Sequence, residues 1–589
     1  MADWLNDEQR AAVADDGHRC LMSCPGSGKT RTIVAKMLQC VDRVRGTARK
    51  VGCITYTNAG VDEIEDRLRR RGSSSDDGSY EVGTIHSFCL NNVLRPFFYR
   101  LPELANGFQV VAPDDVWFRN AAAGVMQKHG IKSWAEERFG QIQREPGGKV
   151  FVPDGISAAA AAEFLAAADA ASCVTLSDIV YYSYRLLVEQ AFISRGLGSR
   201  FAWLLIDEFQ DTSMCQAEIL KEIHKCGRTK FFLVGDVNQS ILGFAGARPT
   251  VMSEIAEHIG AQTNVRLVGN YRCSKRIIAY AERLCPISPP MQAVGQSRDF
   301  SIEPRHVHAA SSLEAVFEHF LPAVDELGVP LGEAAVLAPQ WPALYHLARG
   351  LRQREVPVIG PGARPYKRSR DFAQFAENAC AYLEKPDASL ATAVQRALFI
   401  MLLNVTGTPD WRVYSYQGKR VLFRLLTLAG TQRRESPAAI TWLVGSAEGV
   451  SRILVEEDFL PTEKASVLPE AAGAMVEDIR RNIQDGTAAE NLSTEHLGLF
   501  ARPGECLQLM TMHRAKGREF DAVAIVDLHD DKVPHFSATS VDKIEEARRL
   551  LYVATTRARK LLMYFTDSSN YRNRASRFLG CDGLRLVDS

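Results

Sequence analysis

The sequence lacks several features that mark particular classes of protein. Its 13 cysteines include no C-x-x-C pair, which excludes a zinc ribbon or an ordinary iron–sulfur loop and predicts free thiols in a reducing compartment. Its 70 basic and 70 acidic residues leave a formal net charge of zero. That balance excludes a strongly basic, tail-driven nucleic-acid binder, although it is compatible with a local basic groove.

Long hydrophobic runs are also missing. The most apolar long stretch, residues 158–171, is rich in alanine and is interrupted by Glu163 and Asp169, which predicts a helix of a soluble protein. The first ten residues contain neither the basic region nor the apolar core of a signal peptide. We therefore expect a cytoplasmic protein without a membrane partner. The 589 residues, 46% of them hydrophobic, predict about three to five globular domains.

The most informative segment is a glycine-rich turn between a strand-like run and a helical pattern. This order is typical of a phosphate-binding loop, in which backbone N–H groups and a helix N-terminus surround phosphate oxygens, although the strict pattern has glycine where Ser23 stands. We expect Lys29 to face solvent and to reach the β- and γ-phosphates, and the Thr30 hydroxyl to bind Mg²⁺. The nucleotide-binding residues predicted in this segment are Ser23, Cys24, Pro25, Gly26, Ser27, Gly28, Lys29, Thr30 and Arg31.

Two adjacent carboxylates follow a second strand-like run, Leu204-Leu205-Ile206. At the carboxyl edge of a parallel strand, such a pair lies beside the phosphate loop. Asp207 is then predicted to hold Mg²⁺, and Glu208 to accept a proton from the attacking water. An exposed acidic turn is the alternative, and the phosphate loop makes it the weaker one. Together the two segments predict a nucleoside triphosphatase.

Further segments, in order along the chain, resemble the motifs of the UvrD/Rep family of superfamily 1 helicases. They are L-N-D-E-Q at 5–9, T-Y-T-N-A-G at 55–60, G-T-I-H-S-F at 83–88, I-D-E-F-Q-D-T at 206–212, V-G-D-V-N-Q-S-I at 234–241, N-Y-R at 270–272, T-M-H-R-A-K-G-R-E-F-D at 511–521, R-R-L-L-Y-V-A-T-T-R-A at 548–558 and S-R-F-L at 576–579. Each short match is weak by itself. Their order and number are specific to this family.

The resemblance implies a role for each matched residue. Gln9 and Tyr271 are implied to recognise and stack on the adenine base, and Glu519 to belong to the nucleotide site. The residues implied to act in catalysis are Lys29, Asp207, Glu208, Gln239, Arg272 and Arg557. The two arginines and Gln239 are those implied to meet the γ-phosphate. The residues implied to bind single-stranded DNA are Tyr56, Thr57, Asn58, His86, Phe244 and His513.

The implied fold is α/β, with two RecA-like P-loop lobes whose parallel sheets each carry a mainly helical inserted subdomain, and with ATP and Mg²⁺ in the cleft between the lobes. We expect a first lobe at 1–90 and 186–263 with its insertion at 91–185, and a second lobe at 264–360 and 505–589 with its insertion at 361–504. About 30 residues follow Arg557. A nuclease domain of the kind fused to related recombination enzymes is therefore not expected there.

One motif departs from the family pattern. After Q-S-I the family usually has tyrosine, then glycine, an aromatic residue and arginine, whereas this chain has Leu242, Gly243, Phe244 and Ala245. Phe244 still offers a ring that can stack on a base. A second ring and a cation are missing, which is expected to weaken the grip on the strand or the unwinding of a duplex, but not ATP hydrolysis.

Two functions remain open. The first is an ATP-dependent DNA helicase or translocase that moves 3′ to 5′ on single-stranded or tailed duplex DNA, in repair, recombination or anti-phage defence, with the direction implied by resemblance alone. The second is an ATP-gated DNA-binding or strand-displacement subunit that assists a separate nuclease and unwinds little by itself. The departures at Leu242 and Ala245 favour the second, and similar small helicases accompany nucleases in anti-phage systems such as Gabija. The resemblance disfavours an RNA remodeller.

Overall fold

The chain forms two compact units in the computed structural model. Unit 1 contains Met1–Ser301 and Ala538–Thr556, and unit 2 contains Ile302–Ser537 and Arg557–Ser589. The residues that the structure describes are 4–72, 78–243, 246, 248, 250–368, 371–483, 489–568, 574–579 and 585–587. This division into two is coarser than the four domains expected from the sequence, whose boundaries stay a prediction.

Unit 1 is built on a parallel sheet, which among the described residues has six strands. In their order across the sheet, they are Arg266–Leu267, Arg19–Ser23, Lys230–Gly235, Phe201–Ile206, Lys50–Thr55 and Tyr80–Thr84. The central strand Phe201–Ile206 is hydrophobic throughout because helices cover both faces of a parallel sheet. All six carboxyl ends lie at one edge, which is where ligands bind in open α/β sheets.

Some helices of unit 1 flank this sheet, and others form a segment inserted between its strands Tyr80–Thr84 and Phe201–Ile206. The α-helices are Asp7–Ala14, Lys29–Val44, Asn58–Arg69, Ile85–Cys89, Arg95–Phe97, Val116–His129, Ala158–Ala170, Leu176–Glu189, Ala191–Arg200, Met214–His224, Val251–His258, Lys275–Leu284 and Val541–Thr555. A π-helical turn, Leu90–Leu94, joins two of them. The inserted segment also contains a short antiparallel pair, Gln143–Arg144 with Val150–Phe151, and a parallel pair, Gln109–Val110 with Cys173–Val174.

Unit 2 is built on a second parallel sheet, with seven strands among the described residues. In their order across the sheet, they are Val358–Ile359, Leu507–Thr511, Ala334–Ala338, Phe520–Ile525, Ala558–Asp567, Arg305–Ala309 and Arg585–Val587. Its α-helices are Ser312–Glu314, Leu321–Glu326, Trp341–Gln353, Ala373–Glu384, Ala388–Thr406, Tyr416–Glu435, Ala439–Glu456, Val467–Asn482 and Thr494–Leu499. The last six form a helical insertion between two strands of the sheet.

The two insertions are packed differently. Between Val111 and Cys173, unit 1 has a separate hydrophobic cluster that includes Phe118, Phe139 and Phe164. In unit 2 a single cluster runs from the sheet into the inserted helices, from Val336 of a strand to Trp442 of a helix. The insertion of unit 1 therefore has its own core, whereas that of unit 2 shares the core of its sheet.

The fold class predicted from the sequence is confirmed: two parallel-sheet α/β regions with many helices. One helix, Ala388–Thr406, is long and apolar enough to cross a membrane by length and composition alone. Six of its side chains, among them Leu398 and Met401, are buried in the core of unit 2. The Ala-rich stretch expected to be the most apolar forms the helix Ala158–Ala170.

The described cysteines are all free thiols. Within the described part of the chain, no group of three or more His, Cys, Asp or Glu side chains is arranged to hold a metal ion. The expected lack of zinc and iron–sulfur clusters stays a prediction.

Candidate nucleotide and nucleic-acid sites

The phosphate loop follows the strand Arg19–Ser23 and leads into the helix Lys29–Val44, as the sequence pattern predicts. Gly28 caps this helix in the left-handed conformation, with φ +78°. Ser23, which stands where the strict pattern has glycine, donates its hydroxyl proton to the Gly235 carbonyl at 2.9 Å. The serine thus joins two neighbouring strands at the carboxyl edge of the sheet. The next residue, Cys24, is 1% exposed, and burial raises the pKa of its thiol.

The loop leaves no room for side chains at its two glycines. A Cβ at Gly26 would lie 2.7 Å from the Cβ of Arg272, and one at Gly28 would lie 2.7 Å from the amide nitrogen of Gln9. Both residues have positive φ, which a glycine adopts without strain. The Ser27 hydroxyl is buried without a hydrogen-bond partner among the described residues. A glycine cradle with an unpaired hydroxyl at a helix N-terminus fits a bound phosphate group.

Lys29 is not free in solvent, so that part of the prediction is wrong. Its side chain is 11% exposed, and its ammonium group lies 3.1 Å from the Glu208 carboxylate. Burial lowers the pKa of Lys29, but the negative charges of Glu208, Asp207 and Asp236 outweigh it and raise the pKa above its usual value. Lys29 is therefore the cation that balances three carboxylates at the edge of the sheet.

The carboxylates themselves are buried to different degrees. Asp207 and Asp236 are 8% and 3% exposed. Burial, and then the charge of Glu208, raises the pKa of Asp207, while burial raises the pKa of Asp236 to about 6. Carboxylates crowded in this way favour a cation, and Asp207 with the Thr30 hydroxyl of the first helical turn is the predicted Mg²⁺ pair.

Gln210 is a site residue that the sequence reasoning missed. It is 1% exposed, its amide nitrogen donates to Glu208 Oε2 at 2.5 Å, and its amide oxygen accepts the backbone N–H of Asp236 at 2.9 Å. Glu208 has a left-handed backbone, with φ +51°, which is uncommon outside glycine. Gln210 thus holds the predicted base in place. The only sequence signal for it was its position within I-D-E-F-Q-D-T.

The residues predicted to bind the adenine end of the nucleotide lie close to one another in the structure. Gln9 is fully buried; its amide oxygen accepts the N–H of Asn6 at 3.1 Å, and its amide nitrogen donates to the Ser27 carbonyl at 3.0 Å. The Tyr271 hydroxyl accepts a proton from the Asn6 side chain, and the Arg31 guanidinium carbon lies 5.5 Å from the Tyr271 ring centre. Tyr271 N–H also donates to the Gly26 carbonyl at 2.9 Å. A ring, a guanidinium and an amide therefore surround one end of the phosphate loop.

Two of the residues predicted to meet the γ-phosphate also lie in unit 1. Gln239 is 3% exposed and donates its amide proton to Asp236 at 2.7 Å. Arg272 donates from Nη1 to the Thr556 carbonyl at 3.2 Å, and its backbone N–H is held by the Asn270 side chain. Their roles toward a phosphate stay predictions.

The other predicted nucleotide residues, Arg557 and Glu519, lie in unit 2. Arg557 is 1% exposed and donates to the Arg518 carbonyl at 3.2 Å. Glu519 is exposed and accepts a hydrogen bond from Arg559 at 2.7 Å. The part that each residue plays in the nucleotide site remains a prediction.

Residues predicted to bind DNA follow two adjacent strands of the first sheet. Thr55 pairs with Thr84 in the ladder, so that Tyr56 and His86 emerge at the same edge. The Thr57 hydroxyl accepts the Gly60 N–H and caps the helix that begins at Asn58. Tyr56 lines a cavity of about 30 Å³ together with Asp207 and Glu208. The predicted strand-binding motif and the predicted catalytic carboxylates are thus immediate neighbours.

The pKa values of two histidines among the predicted DNA contacts are lowered by burial. Burial lowers the pKa of His86 below its usual value. Burial, and to a lesser degree the charge of Lys516, lowers the pKa of His513 to about 4. The lowered pKa values favour the neutral form of both imidazoles, which can donate or accept hydrogen bonds.

Comparison with known protein families agrees with this geometry. Residues 5–260 match the model of the UvrD/REP helicase N-terminal domain, and residues 467–569 match that of the UvrD-like helicase C-terminal domain. The chain belongs to the UvrD/Rep helicase family. The two matched ranges contain the phosphate loop and Walker-type carboxylates in one case, and His513, Glu519 and Arg557 in the other.

Similar members of the family cover nearly the whole chain. The ATP-dependent DNA helicase UvrD2 of Mycobacterium tuberculosis (strain ATCC 25618 / H37Rv) is 24% identical over 94% of this chain and 77% of its own length. DNA helicase II of Escherichia coli (strain K12) is 25% identical over 98% and 87%, and the ATP-dependent DNA helicase Rep of the same strain is 25% identical over 95% and 90%.

The UvrD/Rep motif that departs from the usual pattern is described only in part. Phe244 and Ala245 lie outside the described residues. Leu242 is half-buried, and the Gly243 N–H donates to the Glu546 carboxylate at 2.9 Å. Nearby, Arg549 donates to the Ser240 carbonyl at 2.8 Å. The helix Val541–Thr555 therefore supports this motif through two hydrogen bonds, which no local sequence pattern predicts.

Proposed function

We propose that this chain is an ATP-dependent DNA helicase that moves 3′ to 5′ along single-stranded DNA. The observation that carries the proposal is the shared carboxyl edge of the first sheet. The phosphate loop, the carboxylates and the strand-binding motif follow neighbouring strands there, with Ile54 paired to Ile206 and Thr55 to Thr84. The direction is taken from the family resemblance.

Each residue at this edge has a chemical task in the proposed reaction. Lys29 binds the terminal phosphates and leaves its ion pair with Glu208 to do so. Glu208, oriented by Gln210, then takes a proton from the attacking water. Mg²⁺ supplies charge stabilisation on the transferred phosphoryl group when it is bound by Asp207 and Thr30. Release of Glu208 from Lys29 on nucleotide binding makes the base available only when substrate is present.

Coupling to DNA rests on the contact between the two kinds of motif. Tyr56 shares a cavity with Asp207 and Glu208, so a base that stacks on Tyr56 lies next to the proposed hydrolytic site. Asp236 accepts the amide proton of Gln239, and its backbone N–H is held by Gln210. A shift of Gln239 toward a phosphate would therefore be transmitted through Asp236 and Gln210 to Glu208.

DNA repair, recombination and anti-phage defence are the proposed settings, with single-stranded and tailed duplex DNA as substrates. The bacterial relatives support a place in the bacterial cytosol. A second candidate function is a DNA-binding or strand-displacement subunit that assists a separate nuclease. Leu242 and Ala245, which replace a ring and a cation of the family motif, are the observation that favours it.

The deciding experiment measures ATP hydrolysis with and without oligo(dT), and then unwinding of duplexes with a 3′ or a 5′ tail. Stimulation by DNA with unwinding of the 3′-tailed duplex alone is the expected result. Lys29→Ala should abolish hydrolysis, and Lys225→Ala is a matched control because Lys225 is an exposed lysine just after the helix Met214–His224, where it also pairs with a glutamate, Glu222. Stimulated hydrolysis without unwinding would favour the nuclease-assisting subunit. Hydrolysis by Lys29→Ala at the wild-type rate would contradict the proposed site.

A further inference from the structure

Unit 1 contains a cavity rich in positive charge that shares one arginine with the predicted adenine end of the nucleotide site. The volume of the cavity is about 490 Å³, which lies within the range of small-molecule sites. The residues that line it are Trp4, Arg31, Val34, Arg67, Arg70 and Arg71. Four of these six residues carry a guanidinium group, and none carries a carboxylate. A concave surface of this composition favours a small anion.

Trp4 holds two of these arginines in place. Its backbone carbonyl accepts a hydrogen bond from Arg31 Nη1 at 3.4 Å, and the guanidinium carbon of Arg71 lies 3.7 Å from the centre of its ring. A guanidinium group that contacts an aromatic ring through its face keeps the N–H groups at its edge available for hydrogen bonds. Trp4 therefore fixes the position of the Arg71 charge and leaves its donors to a ligand.

The protein balances only part of the charge of this cavity. Arg67 and Arg70 each form an ion pair with an acidic residue four positions earlier in the same helix, which accounts for both of them. Among the residues that the structure describes, no carboxylate forms an ion pair with Arg31 or Arg71. Two positive charges therefore remain for a ligand, and two charges match a phosphate dianion.

We infer that this cavity is a second anion site, which binds a phosphate group between Arg31 and Arg71 and is separate from the phosphates held by Lys29. Guanidinium groups bind phosphate through paired, charge-assisted hydrogen bonds. The guanidinium carbon of Arg31 also lies 5.5 Å from the ring centre of Tyr271, so the cavity adjoins the predicted adenine end of the nucleotide site. The phosphate has two possible sources: a free anion such as pyrophosphate, or a phosphate carried on the ribose of a nucleotide bound at that site. The site goes beyond the proposed function, because it does not depend on DNA.

The first test uses calorimetry with inorganic pyrophosphate on the full chain carrying Lys29→Ala, in which the phosphate loop has lost its cation. Pyrophosphate should still bind, and adding Arg71→Gln should weaken this binding about tenfold or more because a charged hydrogen-bond donor is lost. Adding Arg71→Lys instead should lose only part of the affinity, since the charge remains but the fork of donors does not. Arg69→Gln is the matched control, because it removes the same charge from the same helix and Arg69 does not line the cavity.

The second test compares ATP with adenosine 3′-phosphate 5′-triphosphate on the chain with Lys29 intact. If the phosphate is carried on the ribose, the 3′-phosphorylated nucleotide should bind about tenfold more tightly than ATP, and Arg71→Gln should remove this difference. Equal affinity for the two nucleotides, together with pyrophosphate binding that depends on Arg71, would identify a free anion as the ligand.

The second anion site is refuted if Arg71→Gln and Arg69→Gln have the same effect in both tests, whether that effect is no loss or an equal loss. No loss would mean that the cavity binds no phosphate, and an equal loss would mean that the ligand responds only to the general charge of the helix. DNA-stimulated ATP hydrolysis and unwinding, which decide the proposed function, are measured separately and would be left as they stand.

Discussion

Replacing Glu208 by glutamine tests the hydrolytic step with the least change of shape. In the structure the Glu208 carboxylate accepts hydrogen bonds from Lys29 and Gln210. A glutamine retains an oxygen that can accept either bond, but it cannot take a proton from water. General-base catalysis contributes about 10²- to 10⁴-fold, or roughly 3–5 kcal/mol of barrier. We therefore expect single-turnover hydrolysis to slow by about 100-fold or more.

Nucleotide affinity should behave differently. The change removes one negative charge beside Asp207 and Asp236, so an anionic nucleotide meets less repulsion, and Lys29 is released from its ion pair. The Kd of a fluorescent ATP analogue should therefore stay within about threefold of wild type or decrease. Glu218→Gln is the control, since Glu218 pairs with Lys221 on a helix surface. Hydrolysis near the wild-type rate would refute the base assignment, and a large loss of affinity would make Glu208 a ligand.

Three other changes give distinct expected results. Gln210→Ala removes an oriented hydrogen bond to Glu208 and should lower kcat about tenfold with little change in KM, as steady-state kinetics would show; unchanged kcat would contradict its positioning role. Gly28→Ala places a Cβ 2.7 Å from Gln9 at positive φ, so ATP binding measured by calorimetry should be largely lost, whereas Gly130→Ala, at a helix end with open space, should bind normally. Phe244→Ala should weaken oligo(dT) binding about tenfold or more, and a large fall in Tm would instead reveal a core residue.

The sequence predicted the local parts of the site well because they depend on short-range geometry. A strand, a glycine turn and a helix at fixed spacing bring Gly28 and Lys29 to the edge of a sheet, and the strand-like run Leu204-Leu205-Ile206 lies within the strand Phe201–Ile206. That the site residues lie at one edge also follows from topology alone, because the carboxyl ends of parallel strands meet at the same edge of a sheet.

The parts that were missed depend on distances between segments far apart in the chain. The ion pair of Lys29 joins residues 179 positions apart, and the bond between Gly243 and Glu546 joins residues 303 apart. No spacing within a motif indicates such pairs, so the burial of Lys29 and the bond from Gln210 to the backbone of Asp236 became visible only when the strands were placed side by side.

The reactivity of the Cys24 thiol can report how often the phosphate loop opens. It is 1% exposed, and because burial raises its pKa, little of it is present as the reactive thiolate. Alkylating reagents should therefore modify it only during excursions in which the loop separates from the strands on either side. The rate of that modification measures the free energy of local opening, and a bound nucleotide should slow it in proportion to its occupancy.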